Sequence, residues 1–367
     1  MKIIGALLLC AATGITNAQA VHTVDSLLSS LFNNRQPGIS IGIVENGNTV
    51  YSTGFGLKNM LSGQGNSSTT NFNIASLTKQ FTAMAILQLA EKGKLSLDDS
   101  PGKYLTTLNK KVAATITIRQ MLTHSSAIVN HYGNVKDKTL KHAHNIDVFN
   151  AIKDIDSTYF TPGTQFKYSN TAFCMLALII EKVSGVDYNT YMQKNIFGPA
   201  GMKHTTIWNE DTAIYNPVTG YEYDSTTNGF IKSGADEHVF FSTEGDGGVY
   251  TSVDDYIQWF NALQGGKVFS PAIVEQARSM EFTIDKAKQS GYGFGWFIDA
   301  GSGPLKVYHS GDNSGFRTFS FSIPSQNFLI VIFANRDDIN IEELVLKIYS
   351  ILQPNAKPFV KVEELTS

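Results

Sequence analysis

From Ser76 to Lys92 the chain consists of good helix formers, and Gly93 ends the run. Phe81, Met84, Ala85, Leu87 and Leu89 cover most of that helix's surface. A helix apolar on nearly every side is stable only when other elements surround it, so this one run predicts a sizeable fold with a central helix. The chain is long enough to supply one. Its 367 residues, 42% hydrophobic and 17% charged, suit one large domain or two closely packed subdomains and exclude a disordered or fibrous chain. A net charge of −3 with no Lys/Arg block excludes nucleic acid as the main partner.

The first residues read as an export signal. Lys2 precedes an apolar run from Ile3 to about Ile15, and Thr16-Asn17-Ala18-Gln19-Ala20 follows. A positive start, a short apolar core and an Ala-x-Ala ending make residues 1–20 a signal peptide, so the mature protein is expected to be periplasmic or secreted. The run is too short for a bilayer span, and no later stretch reaches the ~18 apolar residues that one requires. A lipid anchor on Cys10 fits poorly, because bulky Leu9 precedes it and little apolar sequence comes before. Loss of the signal leaves Cys174 as the single cysteine, so no intrachain disulfide is expected. Within Ala172 to Leu178 it reads as a small buried helix residue.

Hydrophobic period outlines the rest. Val24, Leu27, Leu28 and Leu31 predict a helix that stops before Pro37-Gly38. Ile39 to Val44 and Thr49 to Thr53 predict a hairpin around Asn46-Gly47. Helical patches follow at Ile118 to Leu122, Thr171 to Ser184 and Val253 to Leu263. Strand-like runs come late, at Tyr292 to Ile298, Leu305 to His309, Thr318 to Ile323 and Phe328 to Ala334, before a last helix from Ile341 to Leu352. The early hairpin and the late strands predict one antiparallel sheet covered by helices, with a helical lobe inserted at about 95–248 and a tail over 353–367.

Three short motifs carry the chemistry. In Ser76-Leu77-Thr78-Lys79, residues three apart share a helix face, which sets the Lys79 amine beside the Ser76 hydroxyl. A serine at a helix start also has backbone N–H groups and the positive end of the dipole to hold negative charge. Ser100-Pro101-Gly102-Lys103 has the same pattern, but Pro and Gly bar the helix that would join its ends. In Tyr168-Ser169-Asn170 the phenol is expected to be acidified by Lys79 and to shuttle a proton, with Asn170 as an amide donor to a substrate carbonyl. Tyr132-Gly133-Asn134 matches the same pattern in loop-like surroundings. In His309-Ser310-Gly311, a strand end is expected to supply an oxyanion donor while glycine admits the substrate, and Lys232-Ser233-Gly234 is its weaker rival.

Taken in order, Ser76-x-x-Lys79, Tyr168-x-Asn170 and His309-x-Gly311 resemble the three motifs of class C β-lactamases and their penicillin-binding, DD-carboxypeptidase, D-aminopeptidase and family VIII esterase relatives. Pro37-Gly38, Leu122-Thr123-His124-Ser125-Ser126 and Gly247-Gly248-Val249-Tyr250-Thr251-Ser252 extend the likeness over nearly all of 21–352. The resemblance implies an α/β fold with an antiparallel sheet, flanking helices and an all-helical lobe, and a site between them that uses no metal or cofactor. By it Ser76 is acylated, and Lys79 and Tyr168 move protons. Asn170, His309, Ser310 and Gly311 contact a small-molecule or peptide substrate, and the N–H groups of Ser76 and Asp312 form the oxyanion hole.

Two departures bear on substrate. His309 stands where β-lactamases usually carry Lys, which favours an ester or D-amino amide over a β-lactam unless Arg317 supplies the cation. Ala127 stands where relatives usually have Gly. Other readings are a true β-lactamase, a penicillin-binding sensor without turnover, an α/β-hydrolase built on Gly38-Ile39-Ser40-Ile41-Gly42, and a metal enzyme on His142-Ala143-His144. Substrate choice is assigned to the loops Asn130 to Asn145 and Ser225 to Thr243.

Overall fold

The computed structural model describes residues 17–135, 140–234 and 238–359. The leader reading over Lys2 to Ile15, with Cys10, lies outside these residues.

One eight-stranded antiparallel sheet organises the chain. Its strands are β1 (Ile39–Glu45), β2 (Asn48–Phe55), β3 (Phe282–Asp285), β4 (Ser290–Tyr292), β5 (Phe297–Asp299), β6 (Lys306–Asn313), β7 (Phe316–Ile323) and β8 (Phe328–Ala334). Their spatial order is β3-β4-β5-β6-β7-β8-β1-β2, so the early hairpin pairs with the last strand, in register from Ile39 opposite Ala334 to Val44 opposite Leu329. Asn46 and Gly47, both at positive φ, make the tight turn between β1 and β2.

Strand β8 shows why both faces are covered. Phe328, Ile330, Ile332 and Ala334 join one buried cluster, whereas Leu329, Val331 and Phe333 join the other. The first cluster lies under the terminal helices α1 (Asn17–Leu31) and α6 (Ile341–Leu352), through Val24, Leu28, Val345 and Ile348. The second lies under α2 (Thr78–Glu91), α3 (Asn170–Ser184) and α5 (Val253–Gly265). Helix α2 is buried from Thr78 to Leu87, as its apolar surface predicts. Between 95 and 248 short helices, α3 and the one-turn α4 (Glu244–Gly247) are joined by long loops, and the segment also carries a hairpin, Tyr221–Asp224 with Gly229–Lys232. No described helix is long and apolar enough to cross a membrane.

Two expectations change in the sheet. The run Tyr292 to Ile298 is not one strand, because β4 ends at Tyr292 and the chain turns back as β5 from Phe297. Gly295, at φ +89°, sits where a side chain would strike the backbone of Lys79 and Gln80, so this corner packs directly on α2. The motif at His309 also lies inside β6, which continues to Asn313 through its pairing with β7.

Candidate active site

Ser76 occupies a short 3-10 turn, Ala75–Leu77, that leads into α2. Residues three apart share a face where the turn runs into α2, so Lys79 comes beside the serine. Its Nζ donates to Ser76 Oγ at 3.0 Å and to the Asp246 carbonyl at 2.9 Å. Lys79 is fully buried, and burial pulls its ammonium down from 10.5 to about 8, against the attraction of the Asp246 carboxylate. Ala75 holds φ at +46°, a left-handed conformation that costs a residue with a Cβ about 1–2 kcal/mol. The strain sits immediately before the serine.

Strand β6 braces the turn. Ile74 O accepts from Thr318 Oγ1 at 2.9 Å, and a Cβ on Gly311 would fall 2.4 Å from that carbonyl and 2.2 Å from Thr318 Oγ1. Gly311 is therefore required for strand-to-turn packing. Strand β5 pairs with β6 only through Tyr308, so from His309 onward the edge of β6 that meets the turn has no strand across it.

Tyr168 lies just before α3, and its ring stands 4.9 Å from Lys79 Nζ. It stacks on buried His124 at 4.2 Å, and His124 Nδ1 accepts the Ser169 N–H at 3.0 Å. The hydroxyl is buried beside Ser76 without completing a hydrogen bond. Contrary to the expected acidification by Lys79, burial pushes this phenol well above its ordinary value. Desolvation of a phenolate outweighs the lowering influence of the Ser76 hydroxyl, and the Asp246 carboxylate adds to the rise, so Tyr168 rests neutral.

The His309 ring is buried, with Nε2 3.0 Å from Tyr292 OH and Nδ1 2.6 Å from Ser310 O. Burial and the Lys79 charge pull it to about 3, so it is neutral and presents no ring nitrogen to a ligand. Arg317 offers no replacement cation. It pairs with Asp312 at 2.7 Å and donates to the carbonyls of Asn313 and Phe316.

A cavity of about 120 Å³ opens at Ser76, lined by Tyr132, Asn170, Phe240, Asp246 and Asp312 among others. Asn170 and Asp312 were expected there, but Tyr132 and Asp246 were not. Tyr132 lies in a loop, as its surroundings imply, and its hydroxyl accepts from Asn170 Nδ2 at 2.7 Å. Asp246 lies on α4, which packs so tightly on α3 that a Cβ at Gly245 would fall 2.5 Å from Phe173 O. Its carboxylate accepts the Cys174 S–H at 3.3 Å. The available sequence signal was an acid framed by glycines in Gly245-Asp246-Gly247-Gly248, a composition unlike core helix or strand.

The rival motifs have other work. Ser100 Oγ caps its own turn, Lys103 pairs with Asp99, and Ser40 inside β1 donates to Ser67 O. Lys232 and Ser233 belong to the hairpin and do not line the cavity at Ser76. His142 and His144 engage Glu210 and Glu244, and no group of three His, Cys, Asp or Glu among the described residues could hold a metal ion.

Known proteins share this arrangement of elements. The chain is 31% identical over 313 residues to Protein flp of Staphylococcus aureus, covering 84% of this chain and 61% of that longer protein. The octameric penicillin-binding protein homologue from Pyrococcus abyssi superposes with a TM-score of 0.76 at 26% identity, over 90% of this chain and 76% of that one. A penicillin-binding protein from Bacillus halodurans gives 0.78 at 24% identity over 90% and 98%. The Beta-lactamase family model matches residues 21–348, a span that includes the serine turn, both covering helix layers and the bracing strand; this chain belongs to that family, whose members are generally serine hydrolases.

Proposed function

We propose that the protein is a serine hydrolase that opens an ester or amide through an acyl-enzyme on Ser76. The observation that carries the reading is the buried Lys79 amine, 3.0 Å from Ser76 Oγ and pulled to about 8. Near neutral pH a useful fraction of that amine is unprotonated and can take the serine proton as Oγ attacks the carbonyl carbon. The N–H groups of Ser76 and Asp312 hold the oxyanion. The leaving alcohol or amine departs with a proton returned by Lys79 through the neutral Tyr168 hydroxyl, and water then cleaves the ester on Ser76. The neutral, buried His309 and the engaged Arg317 favour substrates that need no carboxylate anchor over β-lactams.

Intact-mass spectrometry after a fluorophosphonate is expected to show one adduct, absent from Ser76→Ala. A panel of p-nitrophenyl esters, D-amino amides, D-Ala-D-Ala peptides and nitrocefin is expected to show turnover of esters or D-amides above nitrocefin. A labelled penicillin that stays bound, with no product from any member, replaces this reading by a sensor. Export is part of the proposal: N-terminal sequencing of secreted material is expected to begin at Val21, which leaves Val24 and Leu28 of α1 in the core.

A further inference from the structure

Cleavage after Ala18-Gln19-Ala20 turns the Val21 nitrogen from a peptide amide into an α-ammonium. Resting on that export reading, we propose that a cavity at the end of β1 receives the new terminus, with the Glu45 carboxylate as its counter-ion.

The cavity lies between the start of α1, the turns β1–β2 and β7–β8, and the end of α6. It measures about 640 Å³, and Ala20, Glu45, Gln326, Phe328 and Leu352 are among its lining. Side chains alternate along a strand, so Glu45 shares the face of Ile39, Ile41 and Ile43, which belong to the cluster under the terminal helices. It ends an apolar row with a charge and is only 8% exposed. Its carboxylate makes no hydrogen bond or ion pair with any described residue, and its oxygens are not among the sealed, partnerless atoms of the interior. A buried carboxylate in this state is costly, and a cation that reaches it removes the cost.

Helix α1 brings such a cation to the right place. Ala20, Val24 and Leu28 follow at four-residue spacing, all buried against the same cluster. Ala20 is the outermost of the three and lines the cavity together with Glu45. Val21 packs on that cluster as well. Loss of Ala20 therefore leaves the Val21 nitrogen at a vacated part of the lining, and the ammonium arises inside the cavity.

An ammonium at the N-terminal end of a helix is opposed by the helix dipole and needs a carboxylate near it. The first turn that remains does not supply a free one. His22 is exposed, and Asp25 already accepts from Tyr51 OH at 2.5 Å. Across the cavity, Asn46, Ser325, Gln326 and Gln353 are uncharged, so Glu45 is the one ionised group in the described lining. Before cleavage the position holds a neutral amide and Glu45 has no counter-ion. Removal of the leader supplies both halves of the pair.

The test compares the exported chain with the same chain carrying Glu45→Gln. N-terminal sequencing is expected to begin at Val21. Competitive labelling with trace acetic anhydride, read on the N-terminal peptide across pH, then titrates the α-amine. In the wild type it is expected at least about one pH unit above the ordinary ~7.7–8.0, because a carboxylate favours the charged form. At pH 7 the wild-type amine should therefore react about tenfold more slowly than that of Glu45→Gln, which returns to the ordinary range. An ordinary amine in the wild type overturns the proposal whatever the variant does. Equal titration in the two chains overturns it too, as does an exported chain that begins elsewhere. A start at Val21 with an ordinary amine leaves the export reading intact and sinks only the pairing. Glu45 does not line the cavity at Ser76, so a missing Ser76 adduct in the same samples breaks the hydrolase reading and leaves this one standing.

Discussion

The sequence contains the same four-residue pattern twice, and the two copies behave in opposite ways. Both Ser76…Lys79 and Ser100…Lys103 begin on short 3-10 turns. Lys79 is fully buried, reaches its serine and is pulled down to about 8 by desolvation. The Lys103 side chain is 57% exposed, turns to Asp99 at 2.9 Å and is held above its ordinary value by that pair. The serines differ as well. Ser100 spends its hydroxyl on Gly102 N–H and Ala113 O, whereas Ser76 Oγ faces a cavity. Spacing brings a lysine near a serine, but burial is what lowers its affinity for the proton.

The sharpest way to break this contrast is to remove each serine. Ser76→Ala is expected to lower kcat by at least about 10⁴-fold, and Ser100→Ala to leave it within twofold or so, in the same esterase assay. Equal losses would mean that the wrong turn has been assigned. Next, Lys79→Met is expected to cost about 10²–10⁴-fold in kcat, whereas Lys103→Met leaves rate untouched. The wild-type pH profile of kcat/KM should rise through about 8 as Lys79 deprotonates. A rising limb near 5 would point to a carboxylate or histidine instead.

Stability sharpens the comparison further, because the two lysines bend the pH curve in opposite directions. Lys79 binds its proton less tightly when folded, about 8, than when unfolded, 10.5. Between those values the unfolded chain holds more protons, so folding stability climbs as pH rises across that window. Relative to Lys79→Met, the wild type is expected to gain about 2–3 kcal/mol between pH 7 and pH 10 in urea titrations. The Lys103 contribution is complete below 10.5 and is lost as pH climbs through its raised folded value. The smallest effect concerns backbone strain. Ala75 is left-handed, whereas Ser100 has ordinary extended angles, φ −67° and ψ 136°. Ala75→Gly is expected to stabilise the fold by about 0.5–1 kcal/mol, read as a raised Tm, and to slow turnover as the serine turn loosens.

Where hydrophobic period decides, the sequence was legible. Phe328 to Ala334 and Ile341 to Leu352 were bounded correctly because one is apolar on both faces and the other is amphipathic. Ile118 to Leu122 was bounded as well, and it proves to carry a full capping box from Thr117 and Gln120. Tyr292 to Ile298 failed because an aromatic run conceals a corner formed at Gly293 to Gly295. At the site, the Ser76–Lys79 contact was legible since it is local. The state of Tyr168 was not, because its titration depends on burial by distant elements, whereas the neutral His309 was legible and burial reinforces it. Tyr132 and Asp246 reach the cavity from loops and a one-turn helix without period. Ala127, at a position where relatives usually have Gly, holds φ at +56°, where glycine would be unstrained.

The closure of the sheet by the two ends of the chain has a consequence for how activity arises. Gly38 N–H donates to Asn335 Oδ1, 297 positions later, and the serine turn is clasped by Thr318, 244 positions beyond Ile74. Contacts this remote form late and slow folding, because a long loop must be ordered before they repay its entropy. A nascent chain therefore carries Ser76 for much of its synthesis without the strands that brace its turn. A chain cut short before β7 therefore carries Ser76 and Lys79 without the clasp of Thr318 on their turn.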